Sequence, residues 1–185
     1  MKQKVYLSLV FLTFLFACNN VTFDKPQPIG GEELKSLSDA FPGIYVSADN
    51  DTLKISSNSI NFTISKDDNI SGTLGDNMQV KRFGNNFVVN SVDSVGNRAV
   101  WVPFLFEPND SMLNISYIDF DQEKLVDLEQ LVKGICEYEI LKNDRGEYTK
   151  IILKPKSTSE FEKLVKAGVF NNTIKLRNQK SSKQR

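Results

Sequence analysis

Between Ile44 and Ile118 the chain is a succession of short apolar runs separated by Asp, Asn, Gly and Pro, residues that favour turns. The run from Ile60 to Ile64 alternates apolar and polar side chains, which is the two-residue period of a half-buried strand. This pattern predicts a mainly β (α+β) fold, in which an antiparallel meander forms either a sandwich or a lipocalin-like barrel. The predicted strands cover 44–47, 52–55, 60–64, 78–83, 87–92, 99–106, 112–118, 136–141, 148–153 and 173–176.

Three other segments have the apolar spacing of a helix, which predicts two or three short helices beside the strands. The first covers 34–41. The second begins at Asp121 as its N-cap, and the third begins at Ser157, which forms a capping-box pattern with Glu160. Together with the strands, these helices predict a single β-rich globular domain over 32–176.

The composition excludes several classes of function. The chain has 185 residues, with 23 Lys plus Arg, 23 Asp plus Glu and no His. Without His there is no Ser-His-Asp or Cys-His nucleophile system and no imidazole general base. No serine nucleophile motif or glycine-rich phosphate loop occurs. We therefore predict that the protein is not an enzyme and carries no cofactor. The balanced charge predicts no binding to nucleic acid.

The amino terminus has the form of an export signal. Lys2 and Lys4 precede an apolar run over 5–16. Twelve residues rise about 18 Å as a helix, against about 30 Å for the hydrocarbon core of a bilayer. This segment is too short for a stable transmembrane span, and it predicts a signal peptide over 1–17.

Leu15, Phe16, Ala17 and Cys18 end that run and resemble the lipobox of bacterial lipoproteins. The resemblance implies cleavage between Ala17 and Cys18, a diacylglyceryl thioether on Cys18, and a fatty acid such as palmitate on the freed amine. The mature protein would then be bound to the membrane by its lipids. Because Asn19 rather than Asp follows the cysteine, the resemblance implies the outer membrane, with the leaflet and the periplasmic or surface side left open.

The two ends of the mature chain are predicted to be flexible. Residues 18–31 contain prolines and glycines without an apolar period, which predicts a tether between the lipidated Cys18 and the domain. Residues 177–185 are polar and basic, which predicts a disordered tail. Cys136, the second cysteine, has no partner once Cys18 is lipidated, and we predict that it is a small core residue.

The whole pattern of lipobox, short tether and β-rich exported domain is similar to that of small bacterial lipoproteins. The residues that carry the similarity at the start of the domain are Gly43, Tyr45, Asp51, Leu53 and Ile55. The resemblance implies a location in the cell envelope and a fold class, without an activity.

Aromatic residues are the strongest indication of binding. The segment 99–106 is apolar on both faces of a strand, and Trp101, Phe104 and Phe106 lie in it. Pro103 cannot donate to a ladder and favours an edge or bulged strand. On an uncovered edge, an aromatic face could take a partner protein or a small apolar ligand. The alternative is that a helix covers this face.

Carboxylates give a weaker indication of a metal site. Asp119, Asp121 and Glu123 would share one face of an extended segment and could hold Ca²⁺. The alternative is that Asp121 caps a helix and Glu123 favours its positive end.

The sequence therefore predicts a lipid-anchored binding or accessory protein of the cell envelope. The alternatives are a hydrolase that uses two carboxylates and an immunity-type inhibitor. Thr52, Ser94 and Ser111 each follow Asp and precede an aliphatic residue, which resembles an O-glycosylation sequon of exported bacterial proteins.

Overall fold

The computed structural model describes residues 20–37, 40–41, 43–64 and 68–179. The predicted signal peptide, its cleavage site, the predicted lipidation site Cys18 and residues 180–185 lie outside these ranges. Within the described part of the chain, no helix combines the length and the apolarity needed to cross a bilayer.

Twelve strands are formed by the described residues, and all of them belong to one mixed sheet. In chain order they are β1 Val21–Phe23, β2 Gly43–Val46, β3 Thr52–Ile55, β4 Ser59–Ile64, β5 Asp68–Thr73, β6 Met78–Phe83, β7 Asn86–Val95, β8 Arg98–Asn109, β9 Met112–Tyr117, β10 Glu137–Lys142, β11 Tyr148–Lys154 and β12 Asn172–Asn178. The helices are α1 Leu125–Val132, which follows a 3-10 turn at Gln122–Lys124, and α2 Thr158–Lys166.

The predicted fold class is confirmed: the molecule is mainly β, with an α+β arrangement. Strands β2 to β5 form one antiparallel meander and β6 to β9 form a second. Strand β12 joins them, because it pairs with β9 on one edge and with β2 on the other. The sheet is open, and this arrangement fits the sandwich-like alternative.

The sheet divides at β8. Strand β7 pairs along one edge of β8 from Arg98 to Phe106. On the other edge, β1 pairs at Trp101, and β9 pairs from Leu105 onward. Since a strand has only two edges, β1 and β9 must follow one another along the same edge. One branch therefore continues as β1, β11 and β10, and the other continues through β9 and β12 to β5.

Of the two positions predicted for Pro103, the edge strand is wrong, because β8 is paired on both sides. Pro103 lies opposite Asn90 of β7. On the other edge it falls between Trp101, which pairs with β1, and Leu105, where pairing with β9 begins. The division of the sheet thus places a residue without an N–H at a gap in the ladder.

Residues 20–31, for which a flexible tether is predicted, are part of the folded domain. Strand β1 is parallel to β11, with Val21 opposite Ile151 and Phe23 opposite Leu153. Val21 and Phe23 are buried, and Thr22 between them has no exposed surface. A three-residue strand has no detectable period, but its burial on both faces stabilises it in the middle of the sheet.

The chain after β1 is held by side chains from three other elements. Lys81 of β6 donates from Nζ to the carbonyl oxygens of Pro26 and Pro28, at 3.0 and 3.3 Å. The buried Asn90 amide both accepts from the N–H of Gln27 at 2.7 Å and donates to its carbonyl oxygen at 2.8 Å. The hydroxyl of Thr158, at the start of α2, donates to the carbonyl oxygen of Ile29.

The helix predicted over 34–41 is not formed by the described residues of that segment. The N–H of Leu34 donates to Val80 of β6, and the N–H of Arg82 donates to Glu32, both at 2.8 Å. Residues 32–34 therefore run beside β6, along the edge that faces away from β7. Leu37 and Phe41 are buried as predicted, but the N–H of Leu37 donates to Ser57, and the N–H groups of Ala40 and Phe41 donate to Leu37 in a single turn.

Two further boundaries differ from the predictions. Asp68 and Asn69, which are predicted in a turn, begin β5 and pair with β4. Because these residues are polar, the sequence has no strand pattern here. The strand forms because its backbone pairs with the edge of β4. Arg177 and Asn178, predicted in the disordered tail, end β12 and pair with β2.

The apolar side chains form two cores on different parts of the sheet. The first core lies between the two meanders, where the Phe41 ring packs edge-on against Phe87 with centroids 4.9 Å apart. The second core lies between the β1–β11–β10 branch and the helices. It includes Phe23 and Phe161, whose rings meet at 6.1 Å.

The N-caps predicted for the second and third helical segments are confirmed. The Asp121 carboxylate accepts from the N–H of Lys124 at 3.1 Å, and the Ser157 hydroxyl accepts from the N–H of Glu160 at 3.2 Å. The apolar faces of α1 and α2 pack into the second core through Leu125, Leu128, Val132, Phe161 and Leu164.

Candidate functional site

A cleft of about 510 Å³ lies where β2, β9 and β12 meet. Strand β12 places Lys175 and Arg177 on its outer face, because Leu176 between them points into the first core and has no exposed surface. Arg177 lies opposite Val46 of β2 on one side and opposite Met112 of β9 on the other. The pairing register thus brings residues distant in sequence to one site.

The lining of the cleft combines apolar side chains, hydrogen-bonding groups and two positive charges. Its residues are Val46, Ser47, Ala48, Met112, Lys175, Arg177, Asn178 and Gln179. None of these eight residues is acidic, although the chain holds as many acidic as basic residues. An apolar floor beside cations suits a ligand that has an apolar body and an anionic group.

The polar groups around the cleft are ordered by the β2–β3 turn. The Ser47 hydroxyl donates to the Asp51 carboxylate at 3.0 Å and accepts from the N–H groups of Asp49 and Asp51. On the other side, Asn178 is hydrogen-bonded to the hydroxyl of Tyr45. Burial raises the pKa of Tyr45, and the bond to Asn178 opposes that rise. The rim is therefore held in place by bonds to core and turn residues.

Gly43 allows Asn178 to approach β2. Its φ angle of +142° is one that side chains rarely adopt, and a Cβ built on it would lie 3.3 Å from the amide nitrogen of Asn178. A side chain at this position would both strain the backbone and displace the amide at the end of the cleft.

The three aromatic residues predicted to bind a partner do not form one surface. Trp101 is half-buried and packs against the second core, which includes the helices. Phe104 and Phe106 pack against the first core, and Phe106 is only 4% exposed. Because successive strand residues point to opposite faces, the odd-numbered Trp101 lies across the sheet from the other two.

The three carboxylates proposed for a metal have separate structural roles. Asp119 accepts from the side-chain amide of Asn172 at 3.1 Å, and Asp121 pairs with Lys124 at 2.8 Å. Glu123 lies in the first turn of the 3-10 helix, as the alternative interpretation expects. No group of three His, Cys, Asp or Glu residues suited to a metal occurs among the residues that the structure describes.

Cys136 is half-buried beside the second core and has no disulfide partner among the described residues. Burial raises the pKa of its thiol to about 11, and the acidic groups Glu160, Asp24 and Glu137 add to the rise. The thiol is therefore protonated at neutral pH, which is unsuitable for a nucleophile and consistent with a packing role.

The serine and threonine positions of the predicted glycosylation sites are at least partly accessible. Ser94 is exposed in β7, while Thr52 and Ser111 are half-buried at a strand start and a turn. The Thr52 hydroxyl donates to the carbonyl oxygen of Asn50.

Reasoning from the sequence did not find the cleft. Lys175 and Arg177 flank an apolar residue in a predicted strand. This alternation already indicated that both cationic side chains lie on the outward face of that strand. Their neighbours Val46 and Met112 come from strands far away in sequence, and only the pairing of β12 with both strands identifies them. Comparison of the chain with protein-family models, with curated proteins and with solved structures gives no match.

Proposed function

We propose that the protein is a lipid-anchored binding or accessory protein of the cell envelope, held in the membrane through Cys18. The observation that carries this proposal is the sequence Leu15-Phe16-Ala17-Cys18 at the end of the apolar amino-terminal run. Two or more acyl chains at this cysteine would give durable anchoring, since each buried methylene contributes about 0.8 kcal/mol.

We further propose that the binding site is the cleft between β2, β9 and β12. Lys175 and Arg177 would pair with an anionic group, and Val46, Ala48 and Met112 would contact an apolar body. A fatty-acid-like carboxylate, or an acidic and apolar segment of a partner protein, has this chemistry. We take the small amphiphile as the first ligand to test, because the cleft volume of about 510 Å³ lies within the range of small-molecule pockets.

Metabolic labelling tests the anchor. Cells that express the wild-type chain or the Cys18→Ser variant are grown with labelled palmitate, and their envelopes are fractionated. We expect label and membrane association for the wild type and the loss of both for Cys18→Ser. Absence of label from the wild type, with no change in fractionation for the variant, would contradict the lipid anchor.

Fluorescence titration with dansyl-labelled undecanoic acid tests the cleft. We expect saturable binding to the wild type and about two- to fivefold weaker binding after Lys175→Gln plus Arg177→Gln, because both cations are exposed and an ion pair made with exposed side chains contributes up to about 1 kcal/mol. The control is Arg145→Gln, which removes an exposed cation from the β10–β11 turn outside the cleft. Equal affinities for all three proteins would contradict the cleft assignment.

A further inference from the structure

We propose that the face of the domain around Asn20 lies directly against the head-group layer of the phospholipid bilayer. This inference rests on the proposed function, since it takes Cys18 to be lipidated. Beyond the proposed function, it specifies which surface of the domain lies against the membrane and which surface faces away from it.

The covalent distance between anchor and domain is the first step. The predicted tether over 19–31 would let the domain rise by up to about 45 Å. The fold starts much earlier, because Asn20 is already fixed in place: its side-chain amide donates to the carbonyl oxygen of Phe120 at 3.1 Å, and its own carbonyl oxygen accepts from the N–H of Ile151 at 2.8 Å. Two residue steps separate Cys18 from Asn20, which is at most about 7 Å.

The surface at this point of the fold is the second step. Asn20 is level with the start of β11 and with the loop that follows β9. The 3-10 turn after Phe120 is exposed, and so is the β10–β11 turn over 143–147, which precedes β11. We name these two turns, together with Asn20, the anchor face.

The chemistry of the anchor face is the third step. The exposed side chains in its two turns are polar or charged, with both signs present, while Phe120 is half-buried against the second core. Such a surface matches the polar head-group layer and has no exposed large apolar side chain to insert into the hydrocarbon. The short covalent link, rather than net charge, holds this face at the membrane.

The opposite end of the same strands is the fourth step. Strand β1 is antiparallel to β8, with Phe23 opposite Trp101, and parallel to β11. Its amino-terminal end, where the chain leaves toward Cys18, therefore points in the direction of the carboxyl end of β8. The β7–β8 turn, with the exposed Asn97, lies at the other end of β8, seven residues or about 23 Å along the strand from the level of Asn20. That turn is directed away from the bilayer.

Depth-dependent quenching tests this orientation. In a Cys136→Ala background, a fluorophore is attached to Gln122→Cys on the anchor face or to Asn97→Cys in the exposed β7–β8 turn. The lipidated proteins are reconstituted into phosphatidylethanolamine and phosphatidylglycerol vesicles, with or without a lipid that carries a nitroxide on its head group. We expect the label at 122 to lose most of its fluorescence and the label at 97 to keep it.

A lengthened link provides the matched control. Twelve Gly and Ser residues inserted between Asn19 and Asn20 add a mean span of about 20 Å, and we expect them to restore the fluorescence of the label at 122 while the protein stays in the vesicles. Equal quenching at both positions, or quenching at 122 that the insertion does not change, would overturn the orientation while leaving the anchor intact. Intact-mass measurement of the same samples separates the two proposals, because a chain without the lipid adduct overturns both.

Discussion

At the scale of single residues, the Glu129 carboxylate links α1 to the β10–β11 hairpin. It accepts from the hydroxyl of Tyr148 at 2.6 Å and from the hydroxyl of Tyr138 at 3.0 Å. These two hydrogen bonds, that of Tyr148 first, lower the pKa of Glu129 from its ordinary value of 4.5. The same bonds raise the pKa of both tyrosines, since the carboxylate favours their protonated form.

We expect Glu129→Gln to lower stability at neutral pH and to have less effect in acid. A carboxyl group whose pKa is depressed on folding stabilises the fold above its unfolded pKa, and this contribution is lost as the pH falls through the lower, folded value. The difference between variant and wild type should therefore shrink below about pH 4.5. Urea denaturation at several pH values measures it.

The control for this residue is Glu123→Gln, which neutralises an exposed carboxylate in the 3-10 turn before α1. We expect this variant to follow the wild-type pH dependence in acid. A Glu129→Gln effect that is the same at pH 7 and at pH 3 would contradict the role given to the two tyrosine bonds.

At the scale of elements, α2 depends on its N-cap. The Ser157 hydroxyl accepts from the N–H of Glu160, and the Glu160 carboxylate accepts from the N–H of Lys156 at 2.9 Å. We expect Ser157→Ala to lower the free energy of unfolding by about 1 kcal/mol, since a helix N–H loses its partner. Thermal or urea denaturation measures the change.

Ser159→Ala is the matched control for the cap. Ser159 is exposed two residues later within α2. Alanine has the higher helix propensity, so we expect no loss of stability. Similar destabilisation by both substitutions would argue against the cap.

Strand β1 contributes to the stability of the fold through the packing of its side chains. Phe23 has no exposed surface and packs against Phe161 of α2. We expect Phe23→Ala to destabilise the protein by about 3–5 kcal/mol, because it leaves a cavity between the sheet and the helix. Val126→Ala, at a position that is 49% exposed on α1, is the control and should cost much less. A small effect at Phe23 would contradict its place in the second core.

At the scale of the whole molecule, β1 connects two parts of the sheet. In the described strand order, β11 and β10 reach the rest of the sheet through β1. Removing β1 would expose the edges of β8 and β11 and open the second core. The amino-terminal boundary of the folding unit is therefore near residue 20 and not at residue 32.

Two fragments test this boundary. We expect a chain that starts at Asn20 to unfold cooperatively and to protect the amides of β10 and β11 from hydrogen exchange. We expect a chain that starts at Glu32 to lose this protection. Native-like protection of β11 in the shorter fragment would show that β1 is not required.

Prediction from the sequence succeeded for several features whose signal is local. The alternation in β4 and the caps at Asp121 and Ser157 depend on residues within a few positions of each other. It failed for β1 and β5, which are short or polar and become strands because neighbouring strands offer free edges. It failed also for the segment 34–41, whose helical spacing is overridden because Leu34 bonds to β6 and Leu37 bonds to the β3–β4 turn.

The same distinction separates the two candidate sites. The sequence alone carries the motif behind the anchor that we propose at Cys18, because such a motif is a run of consecutive residues, and it determined that a β-rich domain follows. Only the tertiary structure decided that β12 joins the two meanders, that the cleft combines Arg177 with Val46 and Met112, and that the folded domain begins two residues after Cys18. Strand pairing joins residues that are far apart in the chain, and no local period records which edges will meet.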